Sequence, residues 1–198
     1  MNQSLGTKIL EWAKNRNGEP FTPRELLSLG SRAAIDQALT RFHRQGALIR
    51  VARGVYVLPV EGKYGRRLPT PAKVAEVIAA RRGHQVVPHG AAAANRLGLT
   101  SQVPMREVYL TGGATQHVEV GRQKLELRHA PAWQLVFPGA PAGEVVRALA
   151  WLGPKRSQEV LEQIRRTVPR AEIERLLAIS AVLPSWLARE VGQLADAA

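Results

Sequence analysis

The chain contains no cysteine among its 198 residues, so disulfide bonds and cysteine-ligated metal centres are excluded. Long apolar runs are also missing, because no stretch approaches the roughly 18 consecutive apolar residues of a membrane-spanning helix. The segment MNQSLGTKILEWAKNRNG breaks its apolar residues with charged ones and has no signal-peptide core. These absences predict a cytoplasmic protein without membrane association.

Acidic residues are scarce. The sequence holds 16 Asp and Glu against 28 Lys and Arg, which gives a formal net charge of +12 and a pI near 11.1. Such a balance favours a polyanionic partner, with nucleic acid first and an anionic membrane surface second. Residues 1–68 hold 12 basic and 5 acidic residues, whereas residues 69–198 hold 16 and 11. The positive charge is therefore densest near the N-terminus.

The first 46 residues carry the signals of three helices. Apolar residues at helical spacing predict a first helix over about 4–15, which NRNGEP ends. In FTPREL, Thr22 can cap a second helix, Pro23 suits its first position and Glu25 completes a capping box. This helix is expected to end at Gly30. Ser31 then caps a third helix that closes at Gly46.

The third predicted helix has two chemically different faces. Its apolar stripe consists of Ile35, Ala38, Leu39 and Phe42, as expected for a helix packed on a core. The opposite face holds Ala33, Gln37, Thr40 and Arg44, and Arg41 flanks it. Small and polar side chains followed by arginines suit a helix that enters the major groove of DNA.

A hairpin is expected directly after this helix. The runs ALIRV and VYVLP are rich in β-branched and aromatic residues, and ARG between them suits a three-residue loop with Gly54 in the left-handed conformation. Arg50 and Arg53 lie on its entry strand and tip. Three helices and a basic hairpin predict a winged helix-turn-helix whose arginines face a phosphate backbone. Such domains also serve as protein-interaction modules, and Tyr56 also suits packing at the root of the wing.

The remaining chain suggests a second domain. Residues 1–60 are predicted to form the DNA-binding domain, 61–70 a basic linker and 71–198 a small α/β domain with a helical C-terminal tail, so that the fold class is α+β. Lys63, Arg66 and Arg67 of the linker suit a solvated connector or a basic arm along DNA equally well. The tail is expected to break at PKRSQ and TVPR.

Chemistry-bearing motifs are absent from the sequence. LTGGATQ lacks the Gly-Lys-Ser/Thr ending of a phosphate loop, and no His-Glu-x-x-His pair occurs. His84, His89, His117 and His129 are scattered without acids at metal-ligand spacing, and His89 suits a helix cap. No catalytic residue, metal or cofactor is predicted, and an enzyme with an unrecognised site in the second domain is the weakest of three hypotheses.

Three segments resemble a known family: SRAAIDQALTRFHRQGALIRVARGVYVLP, HGAAAANRLGLTSQVPMREVYLTGG and VGRQKLELRHAP. They are similar to the AbiEi-type antitoxins of bacterial type IV toxin–antitoxin systems, over roughly residues 5–135. The resemblance implies a winged helix and a C-terminal antitoxin domain. It also implies repression of the protein's own operon at inverted repeats, and action against a nucleotidyltransferase toxin without a stable complex.

The same resemblance assigns the residues expected to contact DNA. It places the base-contacting region on Arg32, Gln37, Arg41 and Arg44, and the wing on Arg50, Arg53 and Tyr56. Together with Thr40 and the linker cations, these form the expected interface with double-stranded DNA. The alternative from another class is an RNA- or protein-binding module that uses the winged helix as a scaffold.

Overall fold

The computed structural model describes residues 3–63, 65–121 and 123–195. In this part of the chain the α-helices are α1 (Leu5–Asn15), α2 (Arg32–Arg44), α3 (Pro71–Ala80), α4 (Gly90–Arg96), α5 (Pro141–Thr167), α6 (Arg170–Ala178) and α7 (Ser185–Gln193). The strands are β1 (Ile49–Ala52), β2 (Val55–Val57), β3 (Val60–Gly62), β4 (Gly65–Arg67), β5 (Val86–Pro88), β6 (Glu107–Thr111), β7 (Gln116–Val120) and β8 (Gln123–His129). The predicted α+β class is confirmed. None of the described helices combines the length and the apolar character needed to cross a membrane.

The described residues form two compact units. Unit 1 comprises 1–83 and 116–126, and unit 2 comprises 84–115 and 127–198. The ranges of unit 1 hold 17 Lys and Arg against 8 Asp and Glu, whereas those of unit 2 hold 11 against 8. The units divide the chain at other points than the predicted domains, because α3, β7 and the start of β8 group with the N-terminal segment. Compactness does not define function, so the functional domain assignment stays a prediction.

The N-terminal helices pack on one apolar core. Ser4 caps α1 and Ser31 caps α2, each through a side-chain oxygen that accepts a backbone N–H, as the preference of serine for this position predicts. The core comprises residues of both helices, the segment between them and the following hairpin: Ile9, Ala13, Phe21, Leu26, Ile35, Ala38, Leu39, Phe42, Leu48 and Tyr56. The predicted apolar stripe of α2 is therefore confirmed.

The second predicted helix is wrong in type and length. The structure has a single turn of 3₁₀-helix, Pro23–Leu26, followed by turns as far as Gly30. Glu25 does fill its capping position, because its Oε1 accepts from the N–H of Thr22 at 2.8 Å. The N–H groups of Glu25, Leu27 and Leu29 each donate to the carbonyl oxygen three residues earlier, so the segment closes with i→i+3 bonds.

Strands β1 and β2 form the predicted hairpin with a shorter turn. Ala52 pairs with Val55, so the turn consists of Arg53 and Gly54, and the pairing shifts register between Arg50 and Ala52. Of the three predicted loop residues, Ala52 is therefore paired within β1, and the pairing is irregular just before it. Gly54 has φ +68°, which confirms its predicted left-handed conformation. Phe21 exchanges two backbone hydrogen bonds of 2.9 Å with Tyr56 of β2.

The predicted linker contains a second hairpin. Strands β3 and β4 are antiparallel, with Val60 opposite Arg67 and Glu61 opposite Arg66. Helix α3 follows, with Thr70 as its side-chain cap and Pro71 in its first turn, as the sequence predicts. Also in unit 1, the first residues of β8 lie beside β7.

Unit 2 is built around α5. Its strands run in the order β5, β6 and the end of β8, and β5 and β6 are antiparallel. Helices α4, α6 and α7 pack against α5. Helix α5 is interrupted at Gly153, whose φ is +74°, so the predicted break occurs one residue before PKRSQ. Trp133, Trp151 and Trp186 are partly buried against this core.

Helix α5 carries a buried arginine, Arg147, in unit 2. Arg147 is only 1% exposed, and its Nη1 donates to the carbonyl oxygens of Gln134 at 3.4 Å and Val136 at 3.2 Å. Burial lowers its pKa to about 10, against a smaller raising effect of Glu144. Because the guanidinium still stays charged at neutral pH, its carbonyl partners stabilise a charge that has lost its water.

Candidate nucleic-acid interface

Helix α2 presents its predicted polar face to solvent. Arg32, Gln37, Thr40, Arg41 and Arg44 are all exposed, because the apolar stripe turns the opposite side of the helix into the core of unit 1. The structure brings Gln37, Thr40, Arg41 and Arg44 onto one accessible surface, where Asp36 and Gln45 line the same shallow groove. Arg32 is exposed at the first position of the helix and is not part of that groove.

Two of the candidates on α2 already have intramolecular partners. Arg32 pairs with Asp36, with 2.7 Å between Nε and Oδ2. The Thr40 hydroxyl donates to the carbonyl oxygen of Asp36 at 2.8 Å, which leaves its lone pairs free to accept. Asp36 thus offsets part of the positive charge of Arg32 at the start of the helix.

Arg41 lies where α2 meets the start of α1. Its guanidinium carbon is 5.2 Å from the ring centroid of Phe42, and a Cβ at Gly6 would lie 3.0 Å from its Nη2. A groove between the two helices is lined by Ser4, Gly6, Gln37 and Arg41, among others. The absence of a side chain at Gly6 thus gives the guanidinium space beside the first turn of α1.

The β1–β2 hairpin exposes Arg50 and Arg53 but not Tyr56. Arg50 lies opposite Tyr56 in the ladder, and both arginines are exposed. Tyr56 is only 8% exposed, and its ring centroid lies 6.4 Å from that of Phe21. Its side chain packs in the core of unit 1, which confirms the predicted packing role, whereas its contact with DNA stays a prediction.

The β3–β4 hairpin carries the cations that the sequence assigns to a linker. Lys63, Arg66 and Arg67 are exposed. Arg66 pairs with Glu61 across the hairpin, with 3.0 Å between Nε and Oε1. Pairing of β3 with β4 fixes the register of Arg66 and Arg67, and Glu61 offsets the charge of Arg66. The two predicted uses of the segment, a solvated connector or a basic arm along DNA, both stay predictions.

Ion pairing separates the basic residues of unit 1 into two groups. Arg16, Arg32, Arg66 and Lys73 each have a carboxylate within 4.0 Å. Across residues 3–63, 65–121 and 123–195, no carboxylate lies that close to the cations of the second group, which includes Lys8, Lys14, Arg24, Arg41, Arg44, Arg50, Arg53, Arg67, Arg81, Arg82 and Lys124. Uncompensated guanidinium groups on a helix and its adjoining hairpin create a positive potential suited to an anionic ligand.

Sequence reasoning missed Arg81. Its Nη1 donates to the carbonyl oxygen of Arg53 at the hairpin turn, across 28 positions of sequence. The available signal was the basic pair Arg81–Arg82 at the end of α3. No local pattern connects that pair with the hairpin, so only the fold brings them together.

The histidines of unit 2 have structural contacts. His89 caps α4, because its Nδ1 accepts from the N–H of Ala91 at 3.2 Å, which confirms that prediction. His129 Nδ1 lies 3.0 Å from the carbonyl oxygen of Gly113, so that Nδ1 is the protonated nitrogen when the ring is neutral. No group of three or more potential metal ligands occurs in the part of the chain that the structure describes.

Comparison with known proteins places the chain in a family without assigning it a function. No curated protein matches the sequence. The model of DUF6088, a family of unknown function, matches residues 8–176. Because this match spans both compact units and most of the 198 residues, the chain belongs to the DUF6088 family.

Proposed function

We propose that unit 1 is a winged helix-turn-helix that binds double-stranded DNA. Its elements follow the order of that fold: α1, the extended residue Phe21, the 3₁₀ turn, α2 and the β1–β2 hairpin. The antiparallel bridge between Phe21 and Tyr56 makes β2 the central strand of a minimal sheet, which suits a wing rooted beside the helices. In this proposal α2 is the recognition helix and the β1–β2 hairpin is the wing.

One observation carries the proposal. The exposed face of α2 and the wing together hold four arginines without carboxylate partners among the described residues: Arg41, Arg44, Arg50 and Arg53. Helix α2 has 13 residues, which corresponds to about 20 Å and suits insertion into the major groove of B-form DNA. Near its middle, Gln37 can form paired hydrogen bonds with an adenine edge.

The positions of the aromatic residues favour duplex DNA over single-stranded RNA. Single-stranded nucleic acids are bound through exposed aromatic platforms on which bases stack. Among the described residues of unit 1, Phe21, Phe42 and Tyr56 are buried, and Trp12 packs edge-on against Phe21 at 5.3 Å between ring centroids. The basic surface therefore suits a continuous phosphate backbone better than splayed bases.

A wider role rests on the resemblance to AbiEi-type antitoxins. We propose that the protein represses its own operon and counters a nucleotidyltransferase toxin, with unit 2 responsible for the second task. The smaller charge excess of unit 2, 11 basic against 8 acidic residues, suits a task other than binding a phosphate backbone. A protein-binding module without antitoxin activity is the competing function.

The DNA-binding proposal predicts two different mutant phenotypes. Gln37→Ala is expected to cost on the order of 1–3 kcal/mol on the operator and little on random duplex. Arg53→Ala is expected to weaken both duplexes equally and to make the slope of log affinity against log salt shallower by about one unit. Fluorescence anisotropy over a salt titration measures both effects.

Matched controls lie in unit 2. Gln158→Ala and Arg170→Ala remove the same side chains from exposed positions, and neither is expected to change affinity or slope. If Arg53→Ala leaves the salt slope at the wild-type value, the wing does not contact the phosphate backbone. If Gln37→Ala weakens both duplexes alike, α2 does not contribute base specificity.

The antitoxin proposal predicts that repression and rescue separate. When the full chain is co-expressed with a nucleotidyltransferase encoded in its own operon, growth is expected to recover. A variant in which Arg41, Arg44, Arg50 and Arg53 are replaced by Gln should lose repression of an operon reporter but still rescue growth. Loss of rescue in this variant, at wild-type protein abundance, would contradict the assignment of antitoxin activity to unit 2.

A further inference from the structure

The end of α3 lies against the tip of the wing. Arg81 is the C-cap residue of α3, and its Nη1 donates to the Arg53 carbonyl oxygen. A Cβ at Gly54 would lie 3.1 Å from Nη2 and 3.4 Å from Cζ of Arg81. The Arg81 guanidinium therefore lies against Gly54, and a larger residue at position 54 would displace this guanidinium. The absence of a side chain at Gly54 thus leaves room for Arg81, and the glycine also adopts the positive φ of the turn.

The position of Arg81 is fixed by α3 itself. Thr70 caps the start of that helix, and Val74, Ala75, Ile78 and Ala79 are buried in unit 1. The N–H of Arg81 donates to the carbonyl oxygen of Val77 at 3.3 Å, and that of Arg82 donates to Ala79 at 2.9 Å. A packed helix thus fixes the backbone position from which the exposed Arg81 side chain reaches the wing.

Three arginines begin close to this contact along the backbone. Arg53 contributes its own guanidinium from the same two-residue turn, and Arg82 is the next residue after Arg81. All three are exposed, and none has a carboxylate within 4.0 Å among the described residues. Positive charges on neighbouring side chains repel one another, and an anion bound between them removes that repulsion. One N–H of Arg81 is used by the carbonyl, and its remaining donors suit phosphate oxygens.

We infer that Arg81 and Arg82 extend the nucleic-acid interface beyond the winged helix, with Arg81 also acting as the positioning residue of the wing tip. This inference rests on the proposed DNA binding. Arg81 holds the Arg53–Gly54 turn through the carbonyl of Arg53 and presents its free N–H groups to the phosphate that Arg53 binds. Arg82 binds an adjacent phosphate and does not hold the wing.

The experiment uses three variants of the full chain: Arg81→Gln, Arg81→Lys and Arg82→Gln. Binding to a fluorescent random-sequence DNA duplex is followed by anisotropy over about 50–200 mM salt. Hydrogen exchange of the backbone amides of residues 52–57 reports separately on the wing. Circular dichroism confirms that each variant is folded.

Arg81→Gln is expected to make the salt slope shallower by about one unit, to lower affinity about eightfold at roughly 0.1 M salt, and to accelerate amide exchange in the wing. Arg81→Lys is expected to restore the slope but not the slow exchange, because a lysine retains the charge without the planar fork. Arg82→Gln should change the slope by about one unit and leave exchange at the wild-type rate.

Two results would overturn the inference. If Arg81→Gln accelerates exchange while affinity and slope keep their wild-type values, Arg81 only braces the hairpin. If neither measurement changes, the contact has no role. A wild-type chain that fails to bind duplex contradicts the proposed function instead, and in that case the exchange data still decide whether Arg81 positions the wing.

Discussion

Gly90→Ala is expected to unfold or severely destabilise unit 2. A Cβ at Gly90 would lie 2.3 Å from the carbonyl oxygen of Arg147 and 2.5 Å from Cβ of Trp151. Both atoms belong to the core-facing side of α5, against which α4 is tightly packed. Neither is the flexible end of a side chain, so α4 can accept the methyl group only by moving away from α5.

That movement separates fully buried surfaces. Ala93 and Ala94 of α4 and Ala148 and Leu149 of α5 are each 0% exposed, and this packing has no space to absorb a shift. Overpacking in a core typically costs about 1–3 kcal/mol, and a backbone clash lies at the upper end of that range or above it. About 3 kcal/mol lowers the midpoint of a domain of roughly 100 residues by some 12–24 °C. Thermal unfolding followed by circular dichroism measures the change.

Gly192→Ala is the matched control. Gly192 lies in α7 of the same unit, and a Cβ there would meet nothing within 4 Å. Because alanine favours helix over glycine by about 0.5–1 kcal/mol, this variant is expected to be slightly more stable than wild type. The two glycine-to-alanine changes should therefore have opposite signs. An equal midpoint in the Gly90→Ala and wild-type proteins would show that α4 and α5 are not packed this closely.

Replacement of Arg41, Arg44, Arg50 and Arg53 together by Gln is expected to abolish measurable binding to random duplex. If each binds one phosphate, their loss makes the slope of log affinity against log salt shallower by about 3.6 units. At roughly 0.1 M salt this corresponds to a loss of affinity of several thousandfold. The measurement is the same anisotropy titration, with folding checked by circular dichroism.

The experiment must distinguish binding that follows net charge from binding at a localised surface. Four exposed arginines of unit 2 offer a control of equal charge: Arg106, Arg166, Arg170 and Arg189. Their combined replacement by Gln is expected to change the slope by less than one unit, because long-range interactions of exposed charges are screened beyond a Debye length of about 10 Å. Equal losses in the two quadruple variants would show that binding follows total charge.

Local patterns predicted the features that depend on neighbouring residues. The two faces of α2 follow from a helical repeat that places Ile35 and Phe42 on one side and Gln37 and Arg44 on the other. The caps at Ser31 and Thr70 follow from side-chain chemistry within one turn. The left-handed conformation of Gly54 follows from a tight turn between two strands. Each of these predictions depended only on residues close together in sequence.

Features that depend on distant contacts were not predictable. The sequence does not reveal that Tyr56 packs on Phe21, so its hydroxyl and ring could suit either DNA or the core. The hairpin within residues 60–67 depends on cross-strand pairing rather than on strand propensity, since its residues include Gly62 and Gly65. Ion pairs alter the candidate site in the same way, because Asp36 and Glu61 neutralise arginines that the sequence shows only as charges.

The discontinuity of unit 1 has a consequence for how the protein is made. Strand β1 is in contact with β7, yet residues 53–115 separate them in sequence. At about 5–20 residues per second, a ribosome needs roughly 3–13 s to synthesise that interval. The segments that form α2 and the β1–β2 hairpin are therefore synthesised seconds before β7. Unit 1 can be completed only after translation has passed β7.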